Sequence, residues 1–245
     1  MNEFSYRTPV GLTLYKEVKR QMLASLSTGE WTSGDAIPSE KQLCLRFDVS
    51  IGTLRKAIDE LVAENILIRH QGRGTFVAVH NRGPHLFRFF NVVRHDGQKS
   101  YPKLTLKAFA KVKADKEARD KLGIVDGANV FQFTNVRSLN DEPVLIDEIT
   151  LPEILFPGMT EAQLRDRPST LYNLYQISYG LNVIRIEEHV RATLATAVQA
   201  ELLSIKPGMP LLQIYRVAFS YNDQVIEFRK SYVNTERYEY FPSVA

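Results

Sequence analysis

Residues 37–77, IPSEKQLCLRFDVSIGTLRKAIDELVAENILIRHQGRGTFV, constrain the fold of this chain more than any other stretch. Two helical patterns meet at Asp48-Val49-Ser50, and the Gly-rich turn His70-Gln71-Gly72-Arg73-Gly74 closes a short hairpin behind them. Ser39, just after Pro38, is placed to cap the first of these helices, whose Leu43, Cys44 and Phe47 are expected to face inward. Ser50 is placed to cap the second, with Leu54, Ile58, Leu61 and Val62 as its buried stripe. Residues 66–69 and 75–79 read as two strands around the Gly turn. An earlier helix is expected over 11–28, where Leu12, Tyr15, Val18, Met22 and Leu26 recur at steps of three and four. The order implies a winged helix-turn-helix, an arrangement that presents one helix to a DNA groove.

Charge alone would not have suggested this. Residues 1–80 carry ten Lys and Arg against nine Asp and Glu, so position matters more than balance. Lys41, Arg55, Lys56 and Arg73 sit where one docking face could form, while Asp59, Glu60 and Glu64 fall later on their helix. At 245 residues, with 44% hydrophobic and 24% charged residues, the chain has material for one large core or two smaller ones. Cys44 is the single cysteine, which excludes an internal disulfide and any multi-cysteine metal site; it is read as a core residue rather than a redox sensor. His70, His80, His85, His95 and His189 lack paired metal-ligand spacing, so neither metal nor cofactor is expected. No apolar run reaches membrane-spanning length and the N-terminus has no signal-like core, so no membrane partner is expected and the reading is cytoplasmic.

Residues 80–85, HNRGPH, are polar and carry Gly83-Pro84, and are read as a linker between a domain at 8–79 and one at 86–245. Beyond the linker the pattern becomes strand-rich, with strands expected over 86–93, 103–112, 129–139, 143–151, 181–194, 211–220 and 224–233. Asn140-Asp141-Glu142 and Tyr221-Asn222-Asp223 suit hairpin turns. Short helices fit 116–122, 160–164, 170–179 and 196–203, and Tyr172, Tyr175 and Tyr179 on one side of the third of these usually mean core packing. An antiparallel sheet flanked by helices is an α+β domain.

The first domain resembles the DNA-binding domain of the GntR family of bacterial regulators, through Ile-Pro-Ser-Glu at 37–40, Val-Ser at 49–50, Thr-Leu-Arg at 53–55 and Gly-Arg-Gly-Thr-Phe-Val at 72–77. The second is similar to the effector domain of the HutC branch, the UTRA domain, which shares a fold with chorismate lyase. That likeness runs through Leu122-Gly-Ile, Gly127, Asn135-Val-Arg137, Glu142-Pro143, Glu148-Ile-Thr-Leu-Pro152, Thr170-Leu-Tyr172, residues 202–211, Arg216, Glu227 and Ser231-Tyr232.

A recognition helix reads base edges with its first turn, which makes Ser50, Ile51, Gly52, Thr53 and Arg55 the candidates. Arg55 can fork onto a guanine, and Thr53 offers a hydroxyl and a methyl. Ser39 and Lys41 suit backbone phosphates; Gln71, Gly72, Arg73 and Gly74 would bring the wing to the minor groove. The competing reading is that Arg55 and Arg73 are solvated surface arginines. Many relatives carry arginine where this chain has Ile51, and a small polar residue where it has Gly52; isoleucine can pack on a thymine methyl, so an altered half-site is expected.

In the second domain the resemblance implies a ligand cleft with arginines for an anionic group. Arg137 matches one such position, while Asn135 stands where a second arginine is usual, which favours an organic acid over a sugar phosphate. Glu148, Thr170, Glu227 and Tyr232 match other lining positions, and Arg216 and Arg229 are further candidates. The alternative for Arg137 and Glu148 is a cross-strand ion pair. The implied protein is not an enzyme. It is a homodimeric repressor of a pseudopalindromic operator in double-stranded DNA, released by a small effector. An activator, or a chorismate lyase-like enzyme, is the alternative; no Ser-His-Asp signature or phosphate-cradling Gly loop is present.

Overall fold

The computed structural model describes residues 13–79, 90–96, 102–167 and 169–241. The chain divides into two compact units, Met1–Val79 and His80–Ala245. The expected linker at 80–85 lies outside the described residues, as do His80, His85 and Leu12.

The first unit is built on helix α1 (Leu14–Ser27), α2 (Glu40–Phe47) and α3 (Ile51–Ala63), followed by the hairpin β1 (Leu67–His70) and β2 (Gly74–Val77). Its core is set by periodicity: Val18, Met22 and Leu26 of α1 meet Leu54, Ala57, Ile58 and Leu61 of α3, with Leu43, Trp31 and Ile37 closing the sides. Cys44, Phe47 and Val62 are only half-buried, so the inward stripes of α2 and α3 are narrower than their sequence pattern suggested. Lys19 of α1 reaches Glu60 at 2.9 Å and Glu64 at 2.5 Å, tying the two longest helices together on their outer side. The turn between α2 and α3 depends on Asp48, which takes the left-handed conformation (φ 51) and ends α2 abruptly. Ala36 bridges to Phe76, so the hairpin carries a third short segment.

The second unit is dominated by a six-stranded antiparallel sheet in the order β4-β5-β6-β9-β8-β7. Its strands are β4 (Lys103–Lys113), β5 (Asn129–Leu139), β6 (Glu142–Pro152), β7 (Arg185–Leu194), β8 (Pro210–Phe219) and β9 (Val225–Val233). A separate two-stranded ribbon pairs β3 (Val92–Arg94) with β10 (Tyr238–Tyr240). The expected strand over 86–93 is thus described only from Val92, and β10 was not anticipated, because three residues are too few to show alternation. The strand expected from Leu181 begins only at Arg185; the preceding residues complete the exit from a helix, with the Leu181 N–H donating to the Tyr175 carbonyl at 3.1 Å. At the β5–β6 turn Asn140 and Asp141 both take positive φ (51 and 63), the geometry that a two-residue hairpin needs.

Helices cover both faces of the sheet. On one face, α5 (Glu161–Arg165) and α6 (Leu171–Tyr179) pack over Phe131, Phe133, Ile149 and Leu151. On the other, α4 (Lys116–Leu122) packs near Val130 and Phe228, and α7 (Ala197–Leu203) near Val136, Ile146 and Tyr232. Because successive side chains alternate across a strand, each residue's parity decides which helical layer it meets. That parity controls the chemistry described next.

Candidate functional site

In the first unit, the first turn of α3 stands open. Ser50, Ile51, Gly52 and Arg55 are exposed and Thr53 is half-buried. Ser50 caps the helix: its Oγ accepts from the Thr53 N–H at 3.3 Å and lies 3.0 Å from the Thr53 hydroxyl. Ile51 leaves 45% of its surface in solvent, and a Cβ added at Gly52 would meet only Ser50 Oγ, at 3.9 Å. An apolar side chain beside a vacant position is a surface without polar readers at those two points.

Arg55 is not a free surface arginine. Its Nε and Nη2 donate to the carboxylate of Glu40 at 2.9–3.2 Å, which fixes the guanidinium between the starts of α2 and α3. Glu40 was read only as part of the Ile-Pro-Ser-Glu motif, and its pairing with Arg55 was missed; its place in the first turn of α2 was the available signal. Ser39 caps α2 in a reciprocal box with Gln42, and Lys41 is exposed next to it. In the wing, Gln71, Gly72, Arg73 and Gly74 are all exposed, and Gly72 and Gly74 take φ of 72 and 110, which side-chain-bearing residues rarely adopt. Arg73 lies 6.0 Å over the Phe76 ring, so its stem runs along the hairpin.

In the second unit, a line of buried charged groups crosses the sheet on the face covered by α5 and α6. Arg137 on β5 donates from Nε to Asp147 Oδ2 at 2.6 Å. Asp147 also accepts from the Ser231 hydroxyl at 2.5 Å and from Arg229 Nη1 at 3.5 Å. Arg229 lies along Glu227, with Nε and Nη2 each donating at 2.9 Å to a different carboxylate oxygen. Glu227 accepts further hydrogen bonds from the hydroxyls of Tyr172 (3.2 Å) and Tyr175 (2.6 Å) on α6. Arg216 Nη1 donates to the Tyr172 hydroxyl at 3.4 Å, and its Nε donates to Glu188 at 2.6 Å. The Tyr240 hydroxyl donates to the second oxygen of Glu188.

The electrostatics follow from burial. Burial by itself raises the Asp147 carboxyl, but Arg137, Arg229 and the Ser231 hydroxyl outweigh it and hold the group down at about 2. Burial lifts the Tyr172 and Tyr175 phenols, and the Glu227 charge lifts them further, so both remain protonated donors. Arg229, wholly buried, has its pKa raised by Glu227 and Asp147 despite desolvation. Three guanidinium groups face three carboxylates here, so the line is balanced.

The sequence-derived candidates do not converge on one place. Arg137, Arg216, Glu227 and Arg229 belong to the buried line. Thr170 caps α6 above it, accepting from the Asn173 N–H at 3.0 Å. Glu148 and Tyr232 stand on the opposite face, where the Tyr232 hydroxyl donates to Glu148 at 3.4 Å. That face has an open cavity of about 380 Å³ lined by Glu148, Lys230, Asp115, Glu117, Gln132 and Thr134 among others. Arg137 therefore pairs across the strand with Asp147 and not with Glu148. Asp147 was missed, although counting back in twos from the core residues Ile149 and Leu151 would have reached it. Tyr172 and Tyr175 are core residues, as read, but their hydroxyls also complete the charged line.

Comparison with known proteins places these two units. Residues 14–77 match the family described as bacterial regulatory proteins, gntR family, and residues 98–239 match the UTRA domain. The chain belongs to the GntR family of bacterial regulatory proteins, with a UTRA domain. A GntR-family relative, the "Probable fructoselysine utilization operon transcriptional repressor" of Escherichia coli (strain K12), is 31% identical over 227 residues, covering 91% of each chain. The "HTH-type transcriptional repressor NagR" of Bacillus subtilis is 26% identical over 232 residues, covering 94% of this chain and 93% of its own. Among solved structures, the ligand-binding domain of a protein assigned to the GntR family of transcriptional regulators from Bordetella bronchiseptica is 29% identical, with a TM-score of 0.62. It covers 64% of this chain and 98% of its own length. The α+β architecture of a GntR winged helix-turn-helix and a UTRA antiparallel sheet is thereby established. Among the described residues no helix is long and apolar enough to cross a membrane, and no group of His, Cys, Asp and Glu is arranged to hold a metal.

Proposed function

We propose that this GntR-family chain is a transcriptional repressor that binds a pseudopalindromic operator as a homodimer and is released by a small anionic effector. The observation that carries the reading is the first turn of α3, exposed on one side while Glu40 holds Arg55 in place. A winged helix-turn-helix covers one half-site, and two copies reach half-sites about one DNA turn, roughly 34 Å, apart. Ser50, Ile51, Gly52, Thr53 and Arg55 read the major groove; Ser39 and Lys41 contact phosphates; Gln71, Gly72, Arg73 and Gly74 enter the minor groove. The repressor sign draws support from relatives whose names call them repressors of fructoselysine or histidine utilization. Action on DNA places the protein in the cytoplasm and requires no catalysis of its own.

The effector site is the buried line on the second unit's sheet, with Arg137, Arg216, Glu227, Arg229 and the α6 start at Thr170 as its members. Its balance of charge favours an organic acid over a sugar phosphate: among the described residues Arg137 keeps terminal nitrogens for one carboxylate, whereas a doubly charged phosphate would need a second guanidinium and Arg216 and Arg229 already bond to carboxylates. Effector binding needs to disfavour the DNA-competent state by only a few kcal/mol to release the operator.

The test is direct. Duplexes selected from a random pool by the full chain should yield an inverted repeat, and sedimentation should give two chains per duplex. A selected set with no repeat, or one chain per duplex, would count against the dimeric reading.

A further inference from the structure

Two polar groups stand out in the second unit, the amide of the buried Asn135 and the hydroxyl of the half-buried Ser169, because among the described residues nothing bonds to them. Both atoms of the Asn135 amide and the Ser169 hydroxyl are sealed from solvent without a hydrogen-bond partner among the described residues. Asn135 is 0% exposed. Such groups are rare in folded proteins, since leaving a buried donor or acceptor unmade forfeits its hydration with no return. Their location narrows the explanation. Asn135 lies on β5 directly opposite Asp147 of β6, on the face that carries the charged line, and two residues before Arg137. Ser169 immediately precedes the cap of α6, the helix whose Tyr172 and Tyr175 bond to Glu227. Arg137 is itself incompletely used. Only its Nε makes a hydrogen bond among the described residues, while its guanidinium lies 5.3 Å over the Phe90 ring.

These unmet groups have a common chemistry. An amide presents one acceptor and two donors side by side, and a hydroxyl both donates and accepts. A phosphate or a second carboxylate offers acceptors only; it would leave the Asn135 carbonyl unpaired and set against negative charge. Hydroxyl groups on a ligand satisfy both halves of the amide. The spare terminal nitrogens of Arg137 suit one carboxylate, and residues two apart on a strand are separated by roughly 6.5 Å, about four or five bonds of a carbon chain.

We propose that Asn135 and Ser169 select the effector, and that it is a hydroxylated monocarboxylate: hydroxyls on Asn135 and Ser169, carboxylate on Arg137. This rests on the regulatory reading above and gives the effector its class. Because both orphan groups are sealed, occupancy requires what lies over them to shift. The ligand therefore stabilises a different arrangement of the covering residues, as a release mechanism requires.

The experiment uses the full chain and calorimetric titration with D-gluconate, D-galactonate and D-glucuronate, against hexanoate and D-glucose 6-phosphate. At least one sugar acid should bind, hexanoate should bind about tenfold more weakly or not at all, and the phosphate should not compete. Asn135→Leu, which replaces the amide by an apolar group of similar size, should melt at the same or a higher temperature without ligand and should lose sugar-acid binding. Binding by none of the three acids overturns the proposal, as does tighter binding of the phosphate, or an Asn135→Leu chain that melts lower and still binds. DNA binding by the unmutated chain is measured in parallel. Its absence would sink the regulatory reading and leave the ligand result standing.

Discussion

Arg55 on α3 is forked onto Glu40 of α2, fifteen residues earlier, through hydrogen bonds of 2.9–3.2 Å. The pair is solvent-exposed, with 59% of the Arg55 side chain accessible, so its contribution to folding is small. In the proposed reading, its contribution to recognition lies in aim. A planar guanidinium held on one edge presents its other edge in a fixed direction, which a freely rotating arginine does not. Arg55→Ala should weaken binding to selected duplexes by about 10- to 100-fold, in line with roughly 1–3 kcal/mol for a bidentate base contact, and should leave thermal stability almost unchanged. Glu40→Gln should cost less affinity but flatten the preference at the Arg55-contacted base. Fluorescence anisotropy across single-base variants of the selected site measures both: Arg55→Ala should lose the preference at one base position and keep it at the others, and a preference retained at every position would count against Arg55 as a reader.

Gly52 sits in the second position of α3, where an added Cβ would make only an ordinary contact with Ser50 Oγ, at 3.9 Å. Glycine inside a helix is destabilising by roughly 0.5–1 kcal/mol relative to alanine, because the unfolded chain has more freedom to lose. Gly52→Ala should therefore raise the stability of the DNA-binding unit by about that amount in urea unfolding. A decrease would mean that Gly52 meets a neighbour in the free protein, and the vacancy at the recognition surface would have to be reconsidered.

The fold and the local geometry of the candidate DNA-binding face were more legible in the sequence than the proposed effector site, for a physical reason. Helix caps, the Gly72–Gly74 turn and the α3 stripe are local: Ser50 needs only Thr53 to be a cap, and both lie in one short window. The second unit's strands were also legible, because alternation survives along each strand. Asp147 and Glu148 show where legibility ended. Adjacent carboxylates look equivalent in a string, yet one lies beneath α6 with two arginines and the other opens to the far face. Register between strands decides which is which, and register is set by partners 12 to 84 residues away. The orphaned Asn135 amide was likewise invisible as an orphan, since being unpaired is a property of the whole surrounding core.

Asp147 makes stability depend on acid. Its carboxyl falls from the usual 3.8 to about 2 in the folded chain. A depressed folded value means that the unfolded state binds the proton first. The stabilisation is therefore complete above about pH 4 and disappears as pH falls through 2. A shift of nearly two units corresponds to about 2 kcal/mol for a fully buried group. Denaturant unfolding between pH 5 and pH 2 should show this loss in the native chain. Asp147→Asn should be less stable already at pH 7, by about 3–5 kcal/mol, because Arg137 and Arg229 keep their charge without its partner. Its acid-dependent slope should be shallower; an unchanged slope would assign the acid sensitivity elsewhere.

Tyr175 gives the last prediction, and it separates packing from hydrogen bonding. Its ring is wholly buried, packed edge-on to Phe156 at 4.8 Å, while its hydroxyl donates to Glu227 at 2.6 Å. Tyr175→Phe keeps the ring and removes only the donor, leaving Glu227 with Tyr172 and Arg229. A hydrogen bond to a charged acceptor contributes roughly 1.5–3 kcal/mol, so the variant should lose about that much stability at neutral pH. Glu227→Gln removes the charge at the other end and exposes Arg229 to a neutral partner. If Tyr175 and Glu227 act as one unit, the double variant should lose less than the two single losses added together, by about 1 kcal/mol or more. Strict additivity in a double-mutant cycle would mean that the Tyr175 hydroxyl and the carboxylate stabilise the sheet independently, and that α6 is held over the charged line by its apolar contacts alone.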